Sequence, residues 1–293
     1  MIIYFINFIE KIREKIYAFY IKIMSEYNSL EKKQSTFQEI STSVPLIPTP
    51  PSSKPTSEFG IGTAQDKVDK KINPVQYHVK ASFMITYILL LTTATITFIE
   101  AMCTKIPEVR HVLNLETVIS IIAGYFYSLF LGQIEGFSKD GIPVNWNELS
   151  KTRYVDWAIT TPIMLLALCV VLSSNIKRPV GVINIFIIVV LNYIMLLVGY
   201  LGEVNILSRI MAMIGGFIPF FAMFYLIFIR YVKPVKNAVN NFLFGFYILI
   251  WGLYGIVYLF NEEYKNIFMN ILDCIAKCFI GLGLWVYYTK ILV

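Results

Sequence analysis

A lysine and an aspartate lie one helical turn apart in the last apolar stretch of the 293-residue chain. Lys277 and Asp273 belong to a run from Asn266 to Val286 in which Asn270 is the other polar exception. Because they are four residues apart, both side chains share one face of a helix, and the carboxylate can stand beside the amine. A cation at a bilayer centre costs about 2.5–3.5 kcal/mol on insertion scales, so it indicates function. A lysine shielded from water is also the usual amine for a Schiff base with a carbonyl compound.

A second carboxylate lies in the third apolar stretch, where Arg153, Asp156 and Thr160 follow one helical stripe. An aspartate inside a bilayer needs a partner, and we expect Lys277 to supply the cation. The alternative is an Arg–Asp clamp between helices that has no chemical role.

The sixth apolar stretch carries an aromatic stripe of Trp251, Tyr254 and Tyr258. Such a stripe is most often ordinary core packing. Here Gly252 and Gly255 interleave with the rings and leave room for a flat hydrophobic ligand, with Trp157 as a possible opposite wall.

Composition indicates a polytopic membrane protein, since 57% of the residues are hydrophobic and 15% are charged, against about 25% charged in soluble domains. The net charge of +6 comes from short loops and the first 80 residues, so we expect no nucleic-acid partner. The four cysteines form no C-x-x-C pair and indicate neither a disulfide framework nor a zinc site. No nucleophile–base pair, phosphate loop or metal set is visible, so we expect no enzyme.

Seven apolar stretches predict an all-α, seven-transmembrane-helix bundle in the lipid bilayer. They lie at about 81–103, 113–133, 153–173, 179–201, 209–230, 241–260 and 267–290. Basic residues cluster in alternate loops, at 104–112, 177–178 and 230–236, and near the C-terminus at Lys290. The positive-inside rule therefore predicts a cytoplasmic C-terminus and an extracellular N-terminus.

The N-terminal region is predicted to be separate from the bundle. Residues 1–25 alternate apolar and charged side chains at helical intervals, which favours an amphipathic helix at a membrane surface. The alternative is a helix that packs on the bundle or on another subunit. Residues 26–76 are rich in Ser, Thr and Pro and predict a flexible linker, so 77–293 form the transmembrane domain.

Together these stretches resemble the microbial (type 1) rhodopsins, bacteriorhodopsin-like proteins that bind retinal. The resemblance covers about 78–290 and rests on R-Y-x-D-W-x-x-T-T-P from Arg153, D-x-x-x-K from Asp273 and W-x-x-Y from Trp251. It implies all-trans retinal bound covalently to Lys277 as a Schiff base. It makes Asp156 the primary counterion and proton acceptor, and Asp273 the second counterion.

The same resemblance assigns the surrounding positions. Arg153 becomes a mobile cation on the extracellular side, Thr160 a hydrogen-bond partner of Asp156, and Thr161 and Asn192 a bonded pair between the third and fourth helices. Further retinal contacts are Trp157, Met164, Gly199, Trp251, Tyr254 and Tyr258. An apolar Met164 beside the polyene favours green over blue absorption.

The chain also departs from the family pattern. Ala167 stands where proton pumps of the family carry the reprotonating acid, and Gly255 where many relatives have proline. Glu116, one turn into the second stretch, is a candidate proton donor or part of a channel gate; the alternatives are an acid that reaches the interface or pairs with Arg110. Glu263 is either part of a proton-release group or an ordinary loop acid.

We therefore expect a retinal photoreceptor that moves ions on illumination, with an outward proton pump as the leading hypothesis. A light-gated channel for protons or monovalent cations is the alternative, and a sensory receptor that signals through a partner is third. A transporter without a chromophore is the hypothesis outside the family. The R-H-x-x-N-L-E-T stretch resembles rhodopsins of giant viruses. The wider family resemblance implies a homo-oligomer.

Overall fold

The computed structural model describes residues 74–139 and 143–291 of the chain. Within these ranges seven helices are long and apolar enough to cross a membrane, and no strand occurs. They are α1 (Pro74–Cys103), α2 (Pro107–Lys139), α3 (Trp146–Asn175), α4 (Val182–Glu203), α5 (Arg209–Val232), α6 (Ala238–Val257) and α7 (262–291). The predicted all-α seven-helix membrane fold is confirmed. The predicted surface helix (1–25) and the linker up to residue 73 lie outside the described residues.

Helices that follow each other in the chain pack side by side, and α7 closes the bundle against α1. In the most apolar windows of α3 and α7, 61% of the residues are buried, against 17% in α4. Since a bilayer supplies an apolar surround for outward-facing side chains, α3 and α7 are the helices that can carry polar groups away from lipid. Both of the carboxylates singled out in the sequence lie on these two helices.

Helix α2 is longer than its apolar stretch predicted, running from Pro107 to Lys139 rather than over 113–133. Proline is favoured at a first helical position because its missing N–H would have no helical partner there, and Glu108 adds an acid to the first turn. Arg110 and His111 therefore lie in the start of the helix, and the preceding loop is only 104–106.

Three wide π-helical turns lie within the described helices, and the last of them ends α7 at Tyr287–Ile291. One closes α5 at Phe228–Val232, and another lies within α7 at Cys274–Phe279. A π-turn adds a residue to the helical repeat and re-aims the side chains around it, frequently at functional sites. Lys277 lies inside the second of these turns.

Candidate functional site

Lys277 is enclosed by two carboxylates at the centre of the bundle. Its Nζ lies 2.8 Å from Asp156 Oδ2 and 3.6 Å from Asp273 Oδ2. The lysine is 1% exposed and both aspartates are 0% exposed. A buried charge of this kind is tolerated only when it is paired and hydrogen-bonded, so α3 and α7 are held together here by opposite charges.

The second oxygen of Asp156 also has a partner. The Thr160 hydroxyl lies 3.3 Å from Asp156 Oδ1 and donates to the Asp156 carbonyl oxygen at 2.9 Å, one turn back along α3. The carboxylate thus presents one oxygen to the lysine and the other to a threonine, which fixes its orientation.

Asp273 is held by two phenols, of which one was not predicted. The Tyr254 hydroxyl donates to Oδ1 at 2.5 Å, and the Tyr127 hydroxyl donates to Oδ2 at 2.7 Å. Tyr127 comes from α2 and is completely buried. Its only sequence signal is a tyrosine within an apolar span, which does not distinguish it from a packing residue.

Arg153 is held mainly by amide oxygens rather than by carboxylates. Its Nη2 donates to Asn266 Oδ1 at 3.0 Å and to Asn270 Oδ1 at 2.9 Å, while Nη1 lies 3.6 Å from Asp273 Oδ2. The guanidinium also lies 5.3 Å from the ring centre of Phe83 and 5.1 Å from that of Phe130, within the range of a cation–π contact.

None of the described ion pairs joins Arg153 to Asp156, although the two share a stripe of α3. A guanidinium held mainly by amide oxygens, with one carboxylate at 3.6 Å, is easier to displace than one clamped between two acids, because fewer opposite charges have to be separated. This geometry fits the mobile cation that the family resemblance implies.

A cavity of about 120 Å³ opens beside Lys277. Seven of the residues predicted to contact a ligand line it, together with Lys277 and Asp273: Trp157, Thr161, Met164, Gly199, Trp251, Tyr254 and Tyr258. The Trp157 and Tyr254 rings meet edge to face at 5.5 Å, so α3 and α6 form adjoining walls. The lining is almost entirely apolar, apart from the charged end at Lys277.

Two parts of the pocket differ from the sequence expectation. Asn192 does not line the cavity, but its amide donates to the Thr161 hydroxyl at 2.8 Å and so braces a lining residue. Phe217 and Phe220 of α5 line the cavity and were not predicted. A phenylalanine-rich stretch in a lipid-facing helix carries no signal that singles out the inward rings.

Glu116 lies between α1, α2 and α7 and is 2% exposed. Its Oε1 has no hydrogen-bond partner among the described residues. The hydroxyls of Thr93 and Ser120 also lack a partner there. Arg110 instead donates to the Thr104 carbonyl at 2.7 Å. Glu116 is therefore neither an interfacial acid nor the partner of Arg110. Glu263 is partly exposed and makes no ion pair within the described ranges, whereas its neighbour Glu262 does.

With this geometry in place, the comparisons with known proteins identify the family. A family profile described as bacteriorhodopsin-like protein matches residues 78–291. The chain therefore belongs to the bacteriorhodopsin-like family of microbial rhodopsins, whose members generally bind retinal through a lysine Schiff base and include light-driven ion transporters. No curated protein matches the chain.

Among solved structures, the chain is similar to the viral rhodopsin OLPVRII, with 41% identity and a TM-score of 0.67 over 73% of this chain and 98% of the other. Thermophilic rhodopsin is 24% identical with a TM-score of 0.60, covering 73% of this chain and 93% of the other. The proton-pumping rhodopsin AR2 from the marine alga Acetabularia acetabulum is 19% identical with a TM-score of 0.60, covering 73% and 96%. The last two matches show the fold, and the first places a viral rhodopsin among the similar structures.

Proposed function

We propose that this protein is a light-driven outward proton pump that carries all-trans retinal on Lys277. The observation that carries the proposal is the 2.8 Å contact between Lys277 Nζ and Asp156 Oδ2, where Lys277 lines an apolar cavity. A proton on that nitrogen has an acceptor within hydrogen-bond distance, and the surrounding residues keep water away from both.

The cavity fits a long apolar ligand attached to an amine. Its lining combines aromatic and methionine side chains with a single buried primary amine. A polyene aldehyde needs these two features, an apolar pocket for its chain and an amine for the covalent bond. When bound, retinal would supply light absorption and the isomerisation that follows it. Gly255 keeps one wall thin, since a Cβ there would lie 2.6 Å from the Phe217 ring.

Asp156 is suited to accept the proton and Asp273 to remain as the fixed negative charge. Asp156 has one weak donor at Oδ1, the Thr160 hydroxyl at 3.3 Å, besides Lys277 at Oδ2. Asp273 already accepts two short bonds from phenols. Because hydrogen bonds to a carboxylate favour its charged form, the proton passes to Asp156 Oδ2 rather than to Asp273.

Glu116 supplies the proton that restores the Lys277 nitrogen. An isolated carboxylate in an apolar interior is strongly penalised, so a buried glutamate without a cation beside it is held as the neutral acid. Such an acid holds a transferable proton on the opposite side of Lys277 from Arg153. It takes the place of an acid at Ala167, which is completely buried and carries no titratable group.

Outward transport follows from the proposed orientation. Basic loops at 177–178 and 230–236 put the Glu116 end in the cytoplasm, and the acidic loops put the Arg153 end outside. A proton taken up near Glu116 and released beyond Arg153 therefore leaves the cell.

The test is a light-evoked current under voltage clamp in retinal-supplied cells that express the full chain. A pump gives an outward current at every voltage, because the direction is set by the photocycle. A current that reverses near a cation equilibrium potential contradicts the pump and supports a channel. A folded, retinal-binding protein with negligible current supports a sensory receptor.

The channel is the second candidate because of a polar row between α1, α2 and α7. The Thr97 and Thr117 hydroxyls lie 2.9 Å apart. Thr93, Glu116 and Ser120 each add a buried side-chain oxygen that has no hydrogen-bond partner in the described part of the chain. Such a row could hydrate and pass a cation. In that case Glu116 is a gate rather than a donor.

Glu116→Gln separates the two roles. If Glu116 is the donor, the variant slows reprotonation of the Lys277 nitrogen, and azide restores it as a small diffusible acid. Kinetics that do not change contradict the donor role. Flash photolysis in the visible range measures the rate of reprotonation with and without azide, and Glu135→Gln, at an exposed position on the same helix, is the control.

A further inference from the structure

A second charged cluster lies near the Arg153 end of the bundle, built around the buried amine of Lys265. Its Nζ lies 2.9 Å from Glu203 Oε1, 3.0 Å from Glu203 Oε2 and 2.8 Å from Glu262 Oε2. Arg209 forms an ion pair with the other oxygen of Glu262. We refer to Glu203, Arg209, Glu262 and Lys265 as the Lys265 cluster. It joins the ends of α4, α5 and α7.

The charges of the Lys265 cluster balance in pairs. Lys265 is 1% exposed and Glu203 is 6% exposed, so neither ion is stabilised by water. Removing one member of a buried pair leaves an uncompensated charge, whereas the intact pair is tolerated. Lys265 therefore keeps Glu203 in its charged form, with both carboxylate oxygens occupied.

The Lys265 cluster is connected to the central site through the next residue along α7. Asn266 accepts a hydrogen bond from Arg153 Nη2 at 3.0 Å and donates to the Glu262 carbonyl at 2.8 Å. A proton that leaves the Asp156 region past Arg153 therefore meets this cluster. A change in the charge around Arg153 also acts on it through a short, water-poor path.

Both acids of the Lys265 cluster are bound by cations. Glu203 and Glu262 are engaged as anions by Lys265 and Arg209. Tyr258 lies with its ring centre 6.0 Å from Lys265 Nζ. Burial and the negative charge of Glu203 raise the pKa of its phenol to about 12, so Tyr258 does not release a proton either.

We propose that Lys265 sets the order of proton movements, so that the protein takes up a proton from the cytoplasm before it releases one to the outside. The inference rests on the proposed pump. With Glu203 and Glu262 already ionised, protonation of Asp156 has no stored proton to expel. Release must then wait until Asp156 loses its own proton, after Lys277 has been reprotonated.

Replacing Lys265 by an uncharged residue should reverse this order. In Lys265→Gln, the buried Glu203 has lost its cation and takes a proton at rest. When Asp156 becomes protonated, a negative charge about one helical turn along α3 from Arg153 disappears, and the more positive surroundings expel the proton from Glu203. Release then precedes uptake.

A pH-indicator dye in solution, followed after a laser flash on the retinal-bound full chain, measures the order directly. For the native protein we expect a first transient towards alkaline pH, and for Lys265→Gln a first transient towards acid pH. Lys265→Arg keeps the cation and should keep the native order. The double variant Glu203→Gln/Lys265→Gln removes the stored proton together with the cation, so the native order should return.

The outcomes separate the two proposals. Without net light-driven proton transport in the native protein, the proposed pump fails and this inference fails with it. A native protein that pumps but acidifies the solution first overturns the inference alone. A folded Lys265→Gln variant that pumps with the native order shows that Lys265 is only a structural clamp, and also overturns the inference. The double variant, which has no unpaired buried charge at position 203, keeps the test valid if the single variant does not fold.

Discussion

At the scale of single residues, the site is two cations and two anions that compensate one another in the interior. Lys277, Arg153, Asp156 and Asp273 are all at most 2% exposed. Removing one member of a buried ion pair typically costs about 3–5 kcal/mol, because its partner is left unpaired. The partners differ in kind, with Asp156 bound to Lys277 and Asp273 bound to phenols. This difference supports the separate roles proposed for these two chemically identical side chains.

Asp156→Asn should abolish outward photocurrent while leaving the bundle folded. The amide keeps the shape of the acid but cannot take the proton from the Lys277 nitrogen. Loss of a positioned acid–base group slows proton transfer by about 10²-fold or more. Voltage clamp gives the current, and flash photolysis gives the rate of deprotonation. Glu148→Gln, at an exposed position on the same helix, should leave both unchanged, and an Asp156→Asn variant with native current would rule out Asp156 as the acceptor.

Tyr127→Phe should destabilise the protein without removing its retinal pocket. The change deletes the 2.7 Å bond to Asp273 Oδ2 from a completely buried phenol. A hydrogen bond to a charged group is worth about 1.5–3 kcal/mol, so the thermal unfolding midpoint should fall. Tyr125→Phe is the matched control, since Tyr125 is 61% exposed on the same helix. Equal midpoints for the two variants would show that Tyr127 does not anchor Asp273.

At the scale of elements, one asparagine ties the start of α6 to its neighbours. The Asn240 amide donates to the carbonyls of Leu172 at 2.8 Å and Tyr231 at 3.1 Å, and its oxygen accepts from Asn175 at 2.8 Å. These contacts connect α6 with the ends of α3 and α5 on the side opposite the Lys265 cluster. Because Asn240 is completely buried, all of its polar atoms depend on these partners.

Asn240→Leu should loosen the start of α6. Two carbonyls and one amide lose their partner, and each unsatisfied buried group costs about 1–3 kcal/mol. In the variant, backbone amides at the beginning of α6 should exchange hydrogen faster than in the native protein, and those near Trp251 should change less. Hydrogen exchange with mass spectrometry measures this, and Asn241→Leu, at an exposed position on the same helix, is the control. Unchanged exchange at 238–244 would show that the hydrogen bonds of Asn240 do not hold the start of α6 in place.

At the scale of the whole molecule, the sequence predicted the seven helices and the central charges, and it missed the groups that support them. Apolar length identifies spans, and intramembrane Lys277 and Asp156 stand out because their burial is costly. Tyr127 could not be distinguished from a packing residue by type alone. Lys265 and Glu203 looked like loop charges, since they lie at span ends, and only the convergence of α4 and α7 buries them together.

The separation of the N-terminal region and the homo-oligomer stay predictions. Helix α1 begins at Pro74, and its candidate membrane-crossing part begins at Tyr77. The residues that line the pocket all lie between Tyr154 and Lys277. We therefore expect the pocket to bind retinal without a contribution from residues 1–73.

Deletion of residues 1–73 should leave the visible absorption band and the light-driven current per molecule unchanged. The cavity, both charged clusters and all seven helices remain in the shortened chain. If residues 1–25 form a surface helix, the deletion should instead change membrane localisation or oligomer size, since apolar and basic side chains at an interface add binding to lipid. Retinal titration, voltage clamp, fluorescence imaging and light scattering in detergent measure these four properties.

A shortened chain that remains membrane-inserted and monodisperse but forms no band would show that the N-terminal region is part of the retinal-binding domain. Unchanged localisation and oligomer size would remove both proposed roles of that region and leave the pump intact.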